Sequence, residues 1–197
     1  MPVEPLIIML AIIGGVGLLV LIWLIATYNR FVRLRQHMKE SWSDIDVELK
    51  RRHDLIPNLV ETVRGYAAHE REVLEKIIQL RNQAAAAHDS RAALAGDESA
   101  LMASLPRLFA LAENYPVLKA DQNFLSLQRE LALTEDRIAA ARRFFNANVR
   151  DNNRLCAEFP TNVLSGMFGF SSAEYFELSS AAERVVPRVS LSHTQPV

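Results

Sequence analysis

Three histidines, His37, His53 and His69, recur at intervals of sixteen residues, a set that could supply imidazole ligands to a metal ion. On a helix, however, a sixteen-residue step turns the side chain by roughly 160°. The three rings therefore leave the helix in different directions and do not converge. His69-Glu70 also lacks the second histidine, four residues on, that a zinc-protease helix requires. Asp44, Asp46 and Glu48 form a run of carboxylates, but alternate positions diverge on a helix, and Lys50, Arg51 and Arg52 follow as ready ion partners. The single cysteine, Cys156, has no partner for an internal disulfide and falls in an apolar stripe, where a thiol serves as a small packing group. There is no glycine-rich phosphate loop and no G-x-S-x-G elbow. These residues predict no catalytic group, no metal, no cofactor and no small-molecule substrate, so an enzyme is not expected.

The elements that carry these residues are easier to read. Half of the 197 residues are hydrophobic, and 22 basic against 23 acidic side chains leave a net charge of −1. That balance gives no reason to expect nucleic-acid binding. The apolar residues are unevenly spread. From Leu6 to Ala26 they form an unbroken run, with no charge between Glu4 and Arg30. About twenty apolar residues are what a helix needs to cross a bilayer core of about 30 Å. A cleavable signal would want a basic n-region and a shorter run, so residues 6–26 are predicted to be a retained transmembrane helix behind a short segment 1–5. Leu6 and Ala26 bound the anchor, Trp23 and Tyr28 sit where amphipathic rings favour the interface, and Gly14 and Gly15, with Ala11 and Gly17, offer a small-residue patch for helix contact. Arg30, Arg33, Arg35 and Lys39 follow before the next acid. They predict an N-terminus outside, a cytoplasmic body, and contact with lipid head groups.

Beyond the span, Phe31, Leu34, Met38, Trp42, Ile45 and Leu49 recur at steps of three or four, the spacing of a helix with one apolar face. If the span simply continues, residues 6–53 form one rod of roughly 72 Å at 1.5 Å per residue. Pro57 predicts a break or kink near 53–57, with Asp54 capping the next helix. That helix runs to Ala84–Ala87, Gly96-Asp97 marks a loop, and a shorter helix follows around Glu98–Asn114. Tyr115-Pro116 ends it, and a long last helix carries its stripe from Phe124 to Pro160. The fold class expected is all-α: the N-terminal transmembrane helix, then an antiparallel four-helix bundle over 27–160 with coiled-coil-like packing. After Pro160 the helical pattern decays: residues 161–189 are an aromatic C-terminal segment, and 190–197 are expected to be a disordered tail. The aromatic segment either folds back onto the bundle, which is the preferred reading, or dips into the membrane interface.

A polar set lies close to the stripe residues: Trp42, Asp46, Arg51, Arg52, Asp54, Asn58 and Tyr66 early in the chain, and Arg142, Arg143 and Asn146 on the last helix. Any of these facing inward must be paired, because a lone buried charge is costly. They are expected to make inter-helix or partner contacts.

Several stretches resemble one family. They are Tyr28-Asn29-Arg30-Phe31, then Trp42-Ser43-Asp44-Ile45-Asp46 on to Arg52-His53-Asp54-Leu55-Ile56-Pro57-Asn58-Leu59-Val60, Gly65-Tyr66-Ala67-Ala68-His69-Glu70, and Tyr115-Pro116-Val117-Leu118-Lys119-Ala120. Leu127-Gln128-Arg129-Glu130-Leu131, Arg142-Arg143-Phe144-Phe145-Asn146, Phe159-Pro160 and Gly169-Phe170 to Phe176-Glu177 complete the order. Over roughly 28–189 the chain resembles the LemA family. Two positions depart from its pattern: Phe145 and Asn152-Asn153 stand where a tyrosine is frequent. The resemblance implies a single-pass membrane protein with a cytoplasmic helical bundle and no established reaction. It also implies association with magnetosome membrane formation in some members, and with genes for membrane phosphatase-like or metalloprotease proteins in others. The expected function is a scaffold or adaptor of the bacterial inner (plasma) membrane, partnered by the bilayer and by another copy or another membrane protein. The alternative is a regulator or accessory subunit of a membrane enzyme such as a protease.

Overall fold

The computed structural model describes residues 4–67 and 69–178. The described residues are helical with no strand, in the order α1 (Glu4–Arg64), α2 (Arg71–Ala84), α3 (Arg91–Glu113), α4 (Pro116–Lys119), α5 (Gln122–Ala157) and α6 (Thr161–Phe168). The expected tail at 190–197 and the end of the aromatic segment, 179–189, lie outside the described residues. The chain divides into two compact units. One holds residues 1–55 and 128–176, and the other is built around residues 56–127.

The first unit contains most of α1. The part from Ile7 to Ile25 exposes its apolar side chains, Leu19 by 68%, with Leu24 half-buried, and α1 is, among the described residues, the one helix long and apolar enough to cross a membrane. From Phe31 onward the same helix turns one stripe inward: Phe31, Ile45 and Leu49 are buried, as are Leu131, Ile138, Phe145, Val149 and Leu155 on α5. These are the positions whose spacing of three and four marks an inward face.

In the second unit α2 and α3 pack on one another. Leu74 and Ile77 of α2 and Leu101, Leu105 and Leu108 of α3 are buried, together with Leu59, Val60 and Val63 from the end of α1. α3 begins at a true cap, where the Ser90 hydroxyl accepts the Ala93 amide at 3.1 Å. Tyr115-Pro116 does end that helix, with Pro116 opening the short α4.

Three expectations about element boundaries are corrected. The chain does not break at 53–57: α1 runs through Pro57 to Arg64, and Asp54 is an interior residue rather than a cap. A proline inside a helix loses one hydrogen bond and clashes with the preceding turn, a cost of about 3 kcal/mol. Ile56, Leu59, Val60 and Val63 are each no more than 1% exposed. At about 1.5 kcal/mol or more apiece, their burial outweighs the proline. The turn falls instead at Gly65–Glu70. Gly96-Asp97 is not a loop either, because the Ser90 cap starts α3 before it. Beyond Pro160 the chain forms one more helix, α6, in place of the decaying pattern expected.

Pro57→Ala restores the missing amide donor in a helix already continuous through this position and supported by its buried face. It is expected to raise the unfolding free energy by about 1 to 2 kcal/mol, read by denaturant titration. A lowered midpoint would show that the helix depends on the proline.

Candidate functional site

The residues that converge do so in the first unit, where the chain after α6 is laid along α1 and α5. α6 ends at Gly169, which takes a left-handed conformation with φ of 68°, a geometry that favours glycine because it has no Cβ. The amides of Gly169 and Phe170 both return to the Ser165 carbonyl. This turn throws Phe170 inward, where it stacks on Phe31 at 4.6 Å between ring centroids and 12° between planes. Arg35 lies over the other side of the arrangement, its guanidinium carbon 4.7 Å from the Phe170 centroid, a cation–π contact.

Residues 171–178 then run without helix or strand, so their backbone groups need partners from elsewhere. Asparagines of α5 supply them. The Asn153 side-chain amide donates to the Ala173 carbonyl at 2.9 Å and accepts the Ala173 amide at 2.8 Å. Asn146 does the same for Phe176, with both bonds at 3.0 Å. Asn152 donates to the Ser171 carbonyl at 2.9 Å. Asn146 and Asn153 are seven residues apart and so share one face of α5. Each carboxamide presents one donor and one acceptor, the pattern that a neighbouring strand would offer. Between them the chain drops Phe176, fully buried, against Trp42, with ring centroids 5.2 Å apart; Trp42 also meets Phe145 at 5.4 Å. The arrangement holds residues 171–176 of the chain on α1 and α5 by their backbone and by two aromatic anchors, Phe170 and Phe176.

A second feature of this unit is ionic. Arg52 is completely buried, and its Nη1 lies 2.7 Å from Oε2 of Glu135 on α5. Glu48 lies 3.9 Å from both Arg51 and Arg137. A buried guanidinium that must meet a carboxylate on the facing helix ties α1 and α5 to one register, because sliding either helix would leave a desolvated charge.

The other residues singled out from sequence are placed as follows. Arg30, Arg33, Arg35 and Lys39 are all exposed on α1 just past the apolar part, and Gly14, Gly15, Trp23, Ala26 and Tyr28 lie exposed along it. Leu6 falls within α1. Asp46, Arg51, Asp54, Asn58 and Arg143 are exposed, and Arg142 is half-buried. Asn146 serves the C-terminal segment, and Trp42 its aromatic anchor. In the second unit the Tyr66 hydroxyl donates to Asp121 at 3.1 Å, and Asp121 accepts the Phe124 amide at 2.9 Å at the start of α5. The Phe124 amide holds the Asp121 carboxyl below its ordinary range; burial opposes it, and the Tyr66 hydroxyl and the Asn123 amide add smaller lowering effects, while the bond to Asp121 raises the Tyr66 phenol.

His37 pairs with Glu40 at 3.3 Å, His53 is buried and His69 exposed. Among the described residues no three His, Cys, Asp or Glu side chains form a group that could hold a metal. Burial pushes the Cys156 thiol up, with a smaller opposing effect of a bond from Ser165.

Sequence reasoning missed Glu135 as a partner and Asn152 and Asn153 as a clamp; the preferred fold-back of the aromatic segment holds for Phe170 and Phe176, which are buried. One signal was available: Asn146, Asn148, Asn152 and Asn153 crowd the interior of a helix, where asparagine is a poor helix former and so has another task.

The profile of the LemA family matches residues 41–191. The chain belongs to the LemA family. The matched stretch includes α5, its asparagines and the segment they hold. Among curated proteins, magnetosome protein MamQ of Magnetospirillum gryphiswaldense is 26% identical over 204 aligned residues, covering 87% of this chain and 75% of its own length. Magnetosome protein MamQ 2 of Paramagnetospirillum magneticum is 25% identical, covering 88% and 76%. Protein LemA of Metamycoplasma hominis is 26% identical, covering 80% of this chain and 71% of its own length.

For this LemA-family chain, Asn146→Ala removes both partners of a buried backbone unit. It is expected to cost about 2 kcal/mol and to make the chain cleavable by chymotrypsin at Tyr175–Phe176, with unchanged helix content. The lowered Asp121 carboxyl contributes stability above its unfolded value, near 3.8, and that contribution is lost as pH falls through the still lower folded value. Asp121→Asn should therefore flatten the fall in thermal midpoint below about pH 4.

Proposed function

We propose that this chain is a membrane-anchored helical scaffold or adaptor, with no reaction of its own, at the cytoplasmic face of the bacterial inner membrane. One observation carries the reading: α1 passes from a part apolar on every side into a part with a single inward stripe, with no break between them. A partner gripping the body is thus coupled to the bilayer through continuous helix rather than through a tether. Exposed Arg30, Arg33, Arg35 and Lys39 at the junction support a cytoplasmic body under the positive-inside rule. The relatives named as magnetosome proteins fit a role in organising membrane. Each of α1 past the span, α2, α3 and α5 carries buried residues along one face, which supports the antiparallel four-helix arrangement read from the sequence.

The proposed partner is a second copy or another membrane protein. On α5, Leu133 and Phe144 are exposed by 47% and 58% and lie eleven residues apart, three helical turns on one face. A photo-crosslinking residue placed at Phe144 in the full chain, activated in intact membranes, is expected to give one dominant protein adduct, identified by mass spectrometry as this chain or one other membrane protein. Protein-free behaviour, with no adduct at Phe144 or Leu133, would contradict the scaffold reading.

A further inference from the structure

The aromatic segment was expected either to fold back on the body or to enter the membrane interface. The structure divides it. Phe170 and Phe176 point inward, whereas Met167, Phe168 and Val163 on α6, and Phe159 in the turn before it, point outward, Phe159 by 83% and Met167 by 71%. Val163 and Met167, four residues apart on α6, share a face, and exposed Phe159 precedes the helix in the turn. α6 carries no charged residue in its sequence TNVLSGMF, while its other face, through Leu164 and Ser165, is buried.

The position of this face on α1 identifies its solvent. A cleft of about 340 Å³ lies between the two helices, walled by Leu21, Leu24, Ile25 and Tyr28 of α1 and by Leu164, Met167 and Phe168 of α6. Phe168 is fixed there by an edge-to-face contact with Tyr28, 5.0 Å between centroids. One wall of the cleft is the end of the apolar span itself. The exposed cations begin at Arg30 and continue through Arg35, within roughly 10 Å of Tyr28 along the helix axis, the level at which phosphates would meet them.

We propose that α6 is a second membrane contact, its exposed Val163, Met167 and Phe168, with Phe159 of the turn before it, immersed among the acyl chains of the leaflet from which α1 emerges. The inference rests on the anchoring role assigned to α1 above. Lipid chains are the occupant because whatever surrounds Leu21 and Ile25 also fills the cleft they share with Met167 and Phe168; a protein seated there would have to enter the bilayer. The chain then meets the leaflet at two places, α1 crossing it and α6 lying along its edge, with Gly169 turning the backbone from lipid to the buried stack of Phe170.

Single cysteines at Met167, Val163 and Leu19, each in a Cys156→Ser background of the full chain, can carry an environment-sensitive fluorophore in vesicles of phosphatidylethanolamine and phosphatidylglycerol. Leu19 reports the span. The expected result is blue-shifted emission at all three sites, quenching by nitroxide-labelled acyl chains, and loss of quenching by aqueous iodide. Lipid quenching at Leu19 with iodide quenching at Met167 and Val163 overturns the inference and leaves the anchor standing. Protection of Met167 and Val163 from both quenchers also overturns it, in favour of a protein occupant. Iodide quenching at Leu19 overturns the anchor itself, and this inference with it.

Discussion

The rest of the structure depends on α1 carrying two kinds of surface in a single unbroken helix. Its apolar part needs no partner if lipid surrounds it, and its later part needs a partner along one stripe only. No turn separates the two parts, so the apolar part continues directly into the part that packs on α5. The Arg52–Glu135 pair follows from this, because a helix that cannot bend away must be held in register by contacts along its length. A buried guanidinium with its carboxylate on the facing helix is well suited to that, since any slip strands a desolvated charge.

The C-terminal segment meets a different constraint. An irregular chain laid on a helix has no ladder to join, and its backbone groups would otherwise be buried without partners. Asn146 and Asn153 solve this by offering carboxamides that imitate a neighbouring strand, one donor and one acceptor to each bound residue. Such recognition reads backbone rather than side chains, and the two phenylalanines supply the direction and depth. Phe145 and Asn152-Asn153 stand at this seam, one in the aromatic anchor and two in the clamp.

Much of the fold was legible because helical stripes are a direct consequence of burial. The run from Leu6 to Ala26, the stripe through Phe31, Ile45 and Leu49, and the long last helix all follow from spacing alone. Pro57 and Gly96 misled for one reason: local propensity is a weak force beside a buried face, and four aliphatic side chains near Pro57 outweigh its cost. The candidate site was harder to see. The pairing of Arg52 with Glu135 links positions far apart in sequence, and no periodicity reports it. The asparagine clamp left a trace, a crowding of poor helix formers inside α5, but the residues it holds lie in a segment read as a whole, folded back by preference, with nothing to tell its inward aromatic residues from its outward ones. Only the three-dimensional arrangement separates Phe170 and Phe176 from Phe168.

If the continuity of α1 is what joins the membrane to the body, the decisive region is the one where the chain has a chemical reason to break. Hydrogen exchange of backbone amides in the full chain, reconstituted in lipid, reads this directly. The account predicts slow exchange at every amide from Arg51 to Glu61, in step with the helix on either side. A window of fast exchange at His53–Asn58 between two protected stretches would contradict it, and would return the chain to an anchor and a body joined by a hinge.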